Sequence, residues 1–273
     1  MRPPFPYYGG KMRIAAQIAN MLPPYRHYVE PFAGSLSVLL AKSATAFETV
    51  NDAHSELMTF WRVLRDRPNE LARACALTPH KRAEFASAAD LAQDDELEVA
   101  RRVWIRLSQS RSATLRRTGW RYYINPAGSS SSMPGYLAGY VQRLASVAER
   151  LHSVSLECRD ALEVITSFGR SSEVCLYVDP PYLGSVRTGS SYVHEMRSDA
   201  EHELLLEHLL RCRSGVVLSG YASAMYGTAL AGWSRVEIPV FNGNSVDGAR
   251  TEIIWTNREI RQPATLHFEV QTS

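Results

Sequence analysis

The chain is poor in lysine and lacks the long apolar runs of membrane proteins. Its only lysines are Lys11, Lys42 and Lys81, so nearly every cation is an arginine. No apolar stretch is long enough to cross a bilayer, and residues 1–6 contain no hydrophobic region of the kind found in signal peptides. The absence of both kinds of hydrophobic segment predicts a protein that has no membrane partner and acts in the cytoplasm.

The four cysteines form no C-x-x-C pair. Cys158 and Cys175 lie in apolar runs that are typical of strands, and Cys75 and Cys212 are equally isolated. We therefore expect buried, reduced thiols, with neither a disulfide framework nor a metal site.

Several common catalytic motifs are also missing. No G-K-[ST] follows the glycine turn at Gly34, and no G-x-G-x-x-G is present, so the turn is neither a P-loop nor a dinucleotide fingerprint. Ser219 has no glycine two residues before it, which argues against the nucleophile elbow of a serine hydrolase.

Short β-rich runs alternate with helical patterns, which predicts crossover connections, an α/β fold and a mainly parallel sheet. The expected strands are 27–32, 46–51, 153–158, 174–179, 214–219, 234–240 and 251–256. The expected helices around them are 12–21, 35–43, 53–66, 160–168, 199–212 and 222–231. The linker 241–249 is too short for a helical crossover, so the last two strands should form an antiparallel hairpin at the end of a mixed seven-stranded sheet.

Residues 67–150 break this alternation. They contain helical patterns at 81–90, 94–109 and 136–150 but no convincing strand pair. We therefore predict an inserted helical subdomain at 67–150, and a main domain formed by 1–66 and 151–273.

The insertion carries a strongly basic segment. Residues 101–121 include seven arginines, two tryptophans and no acidic residue, and Tyr122 and Tyr123 follow directly. The net charge of +2 by itself implies no polyanionic partner, but a basic stretch with interleaved aromatics is typical of nucleic-acid contact. We predict that the segment binds nucleic acid.

The tetrapeptide Asp179-Pro180-Pro181-Tyr182 follows the apolar run 174–178. In open α/β sheets ligands bind at the carboxyl ends of strands. The prolines fix φ and remove two N–H donors, so the Pro180 carbonyl and the Asp179 carboxylate form two adjacent acceptors. This pair suits a planar amino group, and we expect it to be empty and accessible, with Tyr182 able to lie flat on the ring that carries the amine.

Other segments place candidate ligand residues before this point. In Gly9-Gly10-Lys11 the glycines allow close backbone approach and Lys11 can pair with a carboxylate, although a surface turn explains the motif equally well. A tight turn at Gly34 follows the predicted strand 27–32, which contains Glu30, although an ordinary strand–helix turn explains the run equally well. Asp52 and Asp160 each follow a strand. Asp52 can cap the helix 53–66, bind ribose hydroxyls or do both, and Asp160 can serve as a helix N-cap or as an acceptor for an adenine amine.

The order of these motifs resembles the Dam-like N6-adenine DNA methyltransferases, which carry a G-G-K element, an E-P-F-x-G turn, an acidic residue after the second strand and D-P-P-Y after the fourth. Here these stand as Gly9-Gly10-Lys11, Glu30-Pro31-Phe32-Ala33-Gly34, Asp52 and Asp179-Pro180-Pro181-Tyr182. The resemblance covers nearly the whole chain. It implies a Rossmann-like methyltransferase domain, S-adenosylmethionine as methyl donor and double-stranded DNA as partner.

Site residues are carried over by position. The resemblance implies a catalytic group of Asp179, Pro180, Pro181 and Tyr182. It implies a cofactor group of Tyr7, Tyr8, Gly9, Gly10, Lys11, Glu30, Phe32, Gly34, Asp52, Asp160 and Asp179. The DNA-binding residues that we predict in the insertion are Arg111, Arg116, Arg117, Arg121 and Tyr122. No metal is required.

The expected reaction is methyl transfer to the N6 amine of an adenine that is flipped out of a specific duplex sequence. The nearest match to the recognition stretch of GATC-specific members, residues 121–126, lacks a G-x-F-N element, so GATC is not predicted. An RNA-directed enzyme and a catalytically silent nucleic-acid-binding protein remain as alternatives. The host is expected to be a prokaryote or a phage, and the chain a monomer or a homodimer.

Overall fold

In the computed structural model the chain folds around one mixed sheet. The structure describes residues 1–91, 93–116, 118–123, 131–182, 196, 198–241 and 249–260. Within these residues the sheet has seven strands. Their bounds are β1 His27–Glu30, β2 Phe47–Asn51, β3 Val154–Glu157, β4 Val174–Val178, β5 Gly215–Gly220, β6 Ser234–Phe241 and β7 Ala249–Thr256.

The strand order is β3-β2-β1-β4-β5-β7-β6. Strands β1 to β5 pair in parallel, with β1 between β2 and β4. β7 is antiparallel to both β5 and β6, which confirms the predicted mixed seven-stranded sheet and its C-terminal hairpin. The connection order reverses between β1 and β4, and the carboxyl edge beside such a switch point is where open α/β sheets bind ligands.

Ten helices surround the sheet in the described part of the chain. Their bounds are α1 Ala15–Met21, α2 Ser37–Ala41, α3 Ser55–Asp66, α4 Pro68–Ala76, α5 Arg82–Ser87, α6 Glu96–Gln109, α7 Met133–Leu151, α8 Ala161–Phe168, α9 Asp199–Leu210 and α10 Ala224–Ala229. The sequence did not predict α4. Its Pro68 stands in the first helical turn, where a missing N–H costs nothing, so the proline starts a helix here. None of the described helices has the length and apolar character needed to cross a bilayer.

Two hydrophobic clusters lie on opposite faces of the sheet. Cys175 and Tyr177 of β4 belong to one cluster, whereas Leu176 and Val178 belong to the other. Successive side chains of a strand point to opposite faces, so this alternation shows that both faces are covered. The run 174–178 is therefore buried along its whole length.

The helices of the predicted insertion share the first of these clusters. Leu71 of α4, Val103 of α6 and Leu144 of α7 are fully buried together with Tyr28 of β1. Trp104 is likewise buried, and its indole N–H donates to the Pro4 carbonyl at 3.1 Å. Trp104 is thus a core residue and is not exposed to a nucleic acid. The division into two domains stays a prediction, and described helices of residues 67–150 share a hydrophobic cluster with one face of the sheet.

The thiols only partly follow the sequence prediction. All four cysteines are free. Cys75 and Cys175 are buried, and burial raises the pKa of both thiols. Cys158 is exposed and Cys212 is half-buried, so the expectation of burial was wrong for Cys158. The reason is its position after β3, which lies at the edge of the sheet.

Candidate active site

A cavity of about 350 Å³ opens at the carboxyl edge of the sheet, in front of β1, β2 and β4. Its lining includes every residue that was predicted to bind the cofactor. These residues are Tyr7, Tyr8, Gly9, Gly10, Lys11, Glu30, Phe32, Gly34, Asp52, Asp160 and Asp179, and Pro181 lies beside them. The fold therefore brings together segments that stand as much as 170 positions apart in the chain; their roles toward a cofactor stay predictions.

Two glycine turns form one wall of the cavity and pack against each other. Gly9 and Gly34 have φ values of 72° and 49°, in the left-handed region that favours glycine. A Cβ on Gly34 would lie 3.1 Å from Cε1 of Tyr7, and a Cβ on Gly10 would lie 3.0 Å from the Tyr7 carbonyl oxygen and 3.1 Å from Oγ of Ser35. Side chains at these glycines would push the two turns apart.

Asp52 fastens the second of these turns. Its Oδ2 accepts the Gly34 N–H at 3.0 Å, and its Oδ1 accepts the His54 N–H at 3.0 Å. The N-cap residue of α3 is His54, so the alternative that Asp52 caps this helix was wrong. Asp160 does cap a helix, because its Oδ1 accepts the N–H groups of the first turn of α8.

Glu30 is buried at the floor of the cavity. It accepts a hydrogen bond from the Tyr28 hydroxyl at 2.7 Å and another from the Leu39 N–H at 2.8 Å. The N-cap residue of α2, Leu36, gives no side-chain cap, so Glu30 satisfies one of the unpaired donors at the start of that helix. Burial raises the pKa of Glu30 to about 7.

Asp179 follows β4 directly, and an ion pair with Lys11 holds its carboxylate. The sequence indicated that Lys11 can pair with a carboxylate but not which one. Nζ of Lys11 lies 2.6 Å from its Oδ1 and 2.9 Å from its Oδ2. The Lys11 ammonium also donates to the Gly9 carbonyl at 2.9 Å, and Oγ of Ser219 donates to Oδ1 at 2.9 Å. The expectation of an empty acceptor was therefore wrong for the carboxylate, because a buried charge needs a partner. Pro180 is buried beside it, and the role of its carbonyl stays a prediction.

Tyr182 lines a second cavity of about 330 Å³, which shares one wall with the first. Both cavities are lined by Tyr8 and by Gly9-Gly10-Lys11, and the second adds Tyr182, Tyr221 and residues of the C-terminal hairpin. The Tyr182 ring centroid lies 4.5 Å from that of Tyr221 and 4.7 Å from Nζ of Lys11. Tyr182 is buried. Stacking of its ring on a base stays a prediction, and it would use the side of the ring that faces the second cavity.

Sequence reasoning gave no role to two residues that complete this corner. Ser219 of β5 binds Asp179, and Glu252 of β7 accepts the Tyr182 hydroxyl at 2.5 Å. Glu252 is buried, and burial raises its pKa to about 7, against the opposing effect of Lys11. Glu252 is the first residue of the run 252–255, whose other residues are apolar, and this feature of the sequence could have revealed it as a site residue.

Three arginines of the basic segment serve the protein itself. Arg101 forms ion pairs with Glu84 and Glu98, and Arg102 forms one with Glu98. Arg106 is 2% exposed and donates to a backbone carbonyl. The segment contains no acid, but Glu84 of α5 and Glu98 of α6 neutralise Arg101 and Arg102. None of these three arginines was among the predicted DNA-binding residues.

A stacked aromatic column stands in the remaining part of the segment. The ring of Trp120 lies between those of His80 and Tyr122, with centroids at 4.3 and 5.5 Å and interplanar angles of 23° and 22°. The Arg82 guanidinium lies over both Trp120 and Tyr122, and that of Arg111 lies over Tyr122. Arg82 and Arg111 are exposed. Arg82 belongs to α5 and was not among the predicted DNA-binding residues.

The other predicted DNA-binding arginines are Arg116, Arg117 and Arg121. Arg121 packs on Tyr123 and Tyr136, with its guanidinium carbon 5.8 and 5.5 Å from the two ring centroids. Arg116 is partly exposed, and Arg117 lies outside the described residues. The backbone N–H of Tyr8 donates to the Ala113 carbonyl at 2.9 Å, so the basic loop contacts the glycine-lysine turn.

Comparison with known proteins agrees with this geometry. Residues 7–230 match the family described as D12 class N6 adenine-specific DNA methyltransferase. The type II methyltransferase M1.LlaDCHI of Lactococcus lactis subsp. cremoris is 26% identical over 278 residues, which cover 94% of this chain and 95% of that protein.

Among solved structures, the SAM-dependent methyltransferase from Agrobacterium tumefaciens matches 90% of this chain and 61% of its own, at 10% identity and a TM-score of 0.36. The family match runs from the glycine-lysine turn to the end of α10. This chain therefore belongs to the D12 class of N6 adenine-specific DNA methyltransferases.

Proposed function

We propose that the chain transfers a methyl group from S-adenosylmethionine to the N6 amine of an adenine flipped out of a specific double-stranded DNA sequence. The observation that carries this proposal is that Asp179 lines the first cavity while its ion-pair partner Lys11 lines both the first cavity and the second. One cavity holds all the predicted cofactor residues, and the other is bordered by Tyr182 and Tyr221. Family membership supplies the reaction class.

The first cavity suits S-adenosylmethionine. Gly10 and Gly34 let the two turns that line it pack closely together, because a Cβ on either glycine would press on Tyr7 or Ser35. Asp52 would hold the ribose hydroxyls, as an acid after the second strand does in related folds, and Asp160 would hold the adenine amine. When bound, this cofactor supplies an electrophilic methyl group.

The chain's own residues would prepare the amine. The lone pair of an exocyclic amine is delocalised into its ring, which makes it a weak nucleophile. Acceptance of its N–H bonds by the Asp179 carboxylate and the Pro180 carbonyl would localise that lone pair. Most of the acceleration would then come from orientation and from preorganised acceptors. Tyr182 would stack on the extruded base and return about 1–3 kcal/mol of the cost of extrusion.

The aromatic column and its arginines would hold the DNA. Exposed guanidinium groups attract phosphates, and stacked aromatic rings give those groups a fixed position. Arg111, Arg116, Arg117, Arg121 and Tyr122 remain the proposed contacts, and Arg82 joins them because it covers two rings of the column. On this proposal the chain acts on prokaryotic or phage DNA in the cytoplasm, as a monomer or a homodimer.

The direct test is methylome sequencing of DNA from cells that express the chain, followed by a labelled-methyl assay on the purified protein. N6-methyladenine at one sequence in duplex DNA is the expected result. Transfer to RNA alone would favour the RNA-directed alternative, and binding without transfer would favour the silent one.

Asp179→Ala should abolish methyl transfer, because the amine then loses its charged acceptor. The expected loss is at least about 10²-fold in kcat, similar to the loss of a preorganised hydrogen-bonding group. Asp94→Ala is the matched control, since Asp94 is exposed and lines neither cavity. Near-normal turnover by Asp179→Ala, with an unchanged unfolding transition, would remove this residue from the reaction.

A further inference from the structure

One ammonium stands between a half-buried carboxylate, Asp179, and a buried one, Glu252, at the proposed catalytic corner. Nζ of Lys11 lies 2.6 Å from Oδ1 of Asp179 and 3.8 Å from Oε1 of Glu252. The side chains are 6%, 18% and 6% exposed, respectively. The Tyr182 hydroxyl lies between the acids, 2.5 Å from Glu252 and 3.4 Å from Asp179. Lys11 is thus hydrogen-bonded to Asp179 and forms a longer ion pair with Glu252, which a short movement would tighten.

The bonds around Asp179 conflict with its proposed task. Lys11 occupies both carboxylate oxygens and Ser219 occupies Oδ1 as well. An ammonium has three N–H donors, and those of Lys11 point to Asp179 twice and to the Gly9 carbonyl once. A substrate amine that donates to Asp179 competes with this set for the lone pairs of the carboxylate. When Lys11 gives up a bond to Asp179, it needs a close bond to another anion, because an unpaired buried charge is costly.

Glu252 is placed to supply that anion. A charge-assisted N–H···O bond is about 2.7–2.9 Å long, so Lys11 has to move only about 1 Å to reach Glu252. Glu252 already accepts the Tyr182 hydroxyl, and this bond can persist during the exchange and keep the ring in place. Glu252 also lines the second cavity beside Tyr221, where the target base would stand.

We propose that Glu252 is a positioning residue that takes over Lys11 when the target amine binds Asp179. The inference rests on the proposed function and extends it to a residue outside the D-P-P-Y tetrapeptide. Glu252 acts through Lys11, and only its ionised form can hold the ammonium.

A dependence on pH follows from this role. The titratable groups that bear on Glu252 are Lys11, Asp179 and Tyr182, and Arg13 lines the same cavity. Burial raises the pKa of Glu252 to about 7, so the carboxyl is mostly neutral below that pH and charged above it. The rate of methyl transfer should therefore rise as the pH increases through about 7.

The experiment measures single-turnover methyl transfer to duplex DNA from below to above this pH, in wild type and in Glu252→Gln. The glutamine keeps an acceptor for Tyr182 but cannot carry charge. We expect wild type to show the rise, and Glu252→Gln to be at least about tenfold slower, a loss typical of coupled active-site pairs, with a flat profile. Glu30 has a similar pKa of about 7, so a step that persists in Glu252→Gln belongs to another group and would overturn the inference.

Two double-mutant cycles separate the possible routes of action. If Glu252 works through Lys11, Glu252→Gln should cost little in a Lys11→Gln background, because coupled residues are not additive. If it only anchors Tyr182, its cost should persist beside Lys11→Gln and vanish beside Tyr182→Phe. The second pattern would refute the role proposed here.

Controls keep the outcome interpretable. Thermal unfolding and calorimetric titration with S-adenosylmethionine verify that each variant is folded and binds cofactor. If Glu252→Gln does not fold, Glu252→Asp, which keeps the charge on a shorter stem, should be slower and retain the pH step, and a flat profile would count against the inference. Wild type that methylates no DNA would refute the proposed function, whereas active wild type with an unaffected Glu252→Gln would refute only this extension.

Discussion

At the scale of single residues, Gly34 shows how backbone conformation shapes the proposed cofactor cavity. Its φ of 49° is in the left-handed region, and an added Cβ would lie 3.1 Å from the ring of Tyr7. Its N–H is held by Asp52, so the turn cannot easily move away. Leu36, two residues later, has a φ of 56° and is fully buried, so it bears the conformational cost of the left-handed region without being a glycine.

Gly34→Ala should therefore impair both stability and binding. We expect the free energy of unfolding to fall by about 1–2 kcal/mol, the cost of a left-handed conformation for an L-residue. Cofactor affinity should fall as well, because Tyr7 must shift into the cavity. Denaturant unfolding and calorimetric titration with S-adenosylmethionine measure the two effects.

Gly139→Ala is the matched control for this change. Gly139 lies within α7, and nothing approaches its would-be Cβ within 4 Å. Alanine should stabilise the helix there by about 0.5–1 kcal/mol and leave binding unchanged. If Gly34→Ala bound the cofactor as well as wild type, the close contact between Gly34 and Tyr7 would not matter for cofactor binding.

At the scale of elements, a buried ionic network fastens α7 to the sheet. Glu48 of β2 is fully buried at its side chain and receives Arg150 of α7 at 2.5 and 2.8 Å. Lys42 completes the network. Burial by itself would raise the pKa of Glu48, but Arg150 and Lys42 hold it below its usual value. This network joins the end of the predicted insertion to the second strand.

Arg150→Met should destabilise the fold strongly. Removal of one partner from a buried ion pair leaves an uncompensated charge and typically costs about 3–5 kcal/mol; Lys42 should reduce this to the lower end. Chemical unfolding measures the change. The control is Arg211→Met, because Arg211 and Glu207 form an exposed pair on α9 and such pairs contribute about 0–1 kcal/mol. Equal effects of the two substitutions would contradict the assigned role of the network.

At the scale of the whole molecule, the distribution of charge matters more than its total. A net charge of +2 gives little long-range attraction for DNA. Arg101 and Arg102 are neutralised by nearby acids, whereas Arg111 is exposed beside the aromatic column. The basic loop also contacts the glycine-lysine turn through Tyr8 and Ala113, so a bound duplex would lie next to the catalytic corner.

Combined substitution of Arg111 and Arg121 by alanine should weaken duplex binding and flatten its dependence on salt. Each lost phosphate contact lowers the slope of log K against log salt by about 0.9, so a reduction of up to about 2 is expected. Fluorescence anisotropy over a salt series provides the measurement. Arg211→Ala, which removes one exposed charge outside the proposed interface, is the control and should leave the slope unchanged. An unchanged slope in the double variant would remove both residues from the interface.

The sequence by itself determined the order of elements and the acids at the ends of the strands. Short apolar runs and helical patterns are local properties, so β1 to β7 and the hairpin could be predicted from them. The same reasoning placed Glu30, Asp52 and Asp179 at one edge, because parallel strands align their carboxyl ends. The sequence did not predict helix α4, because a proline such as Pro68 can either break a helix or begin one.

Only the tertiary structure decided which groups meet across the chain. Lys11 reaches Asp179 over 168 positions, and Tyr182 reaches Glu252 over 70. Neither pairing has a local pattern, because both depend on how two cavities form around a single strand end. The same holds for Arg101, whose charge is cancelled by Glu84 from another helix. Local propensity fixes elements, whereas burial and ion pairing depend on packing between distant segments, and the chemistry of this site rests on those contacts.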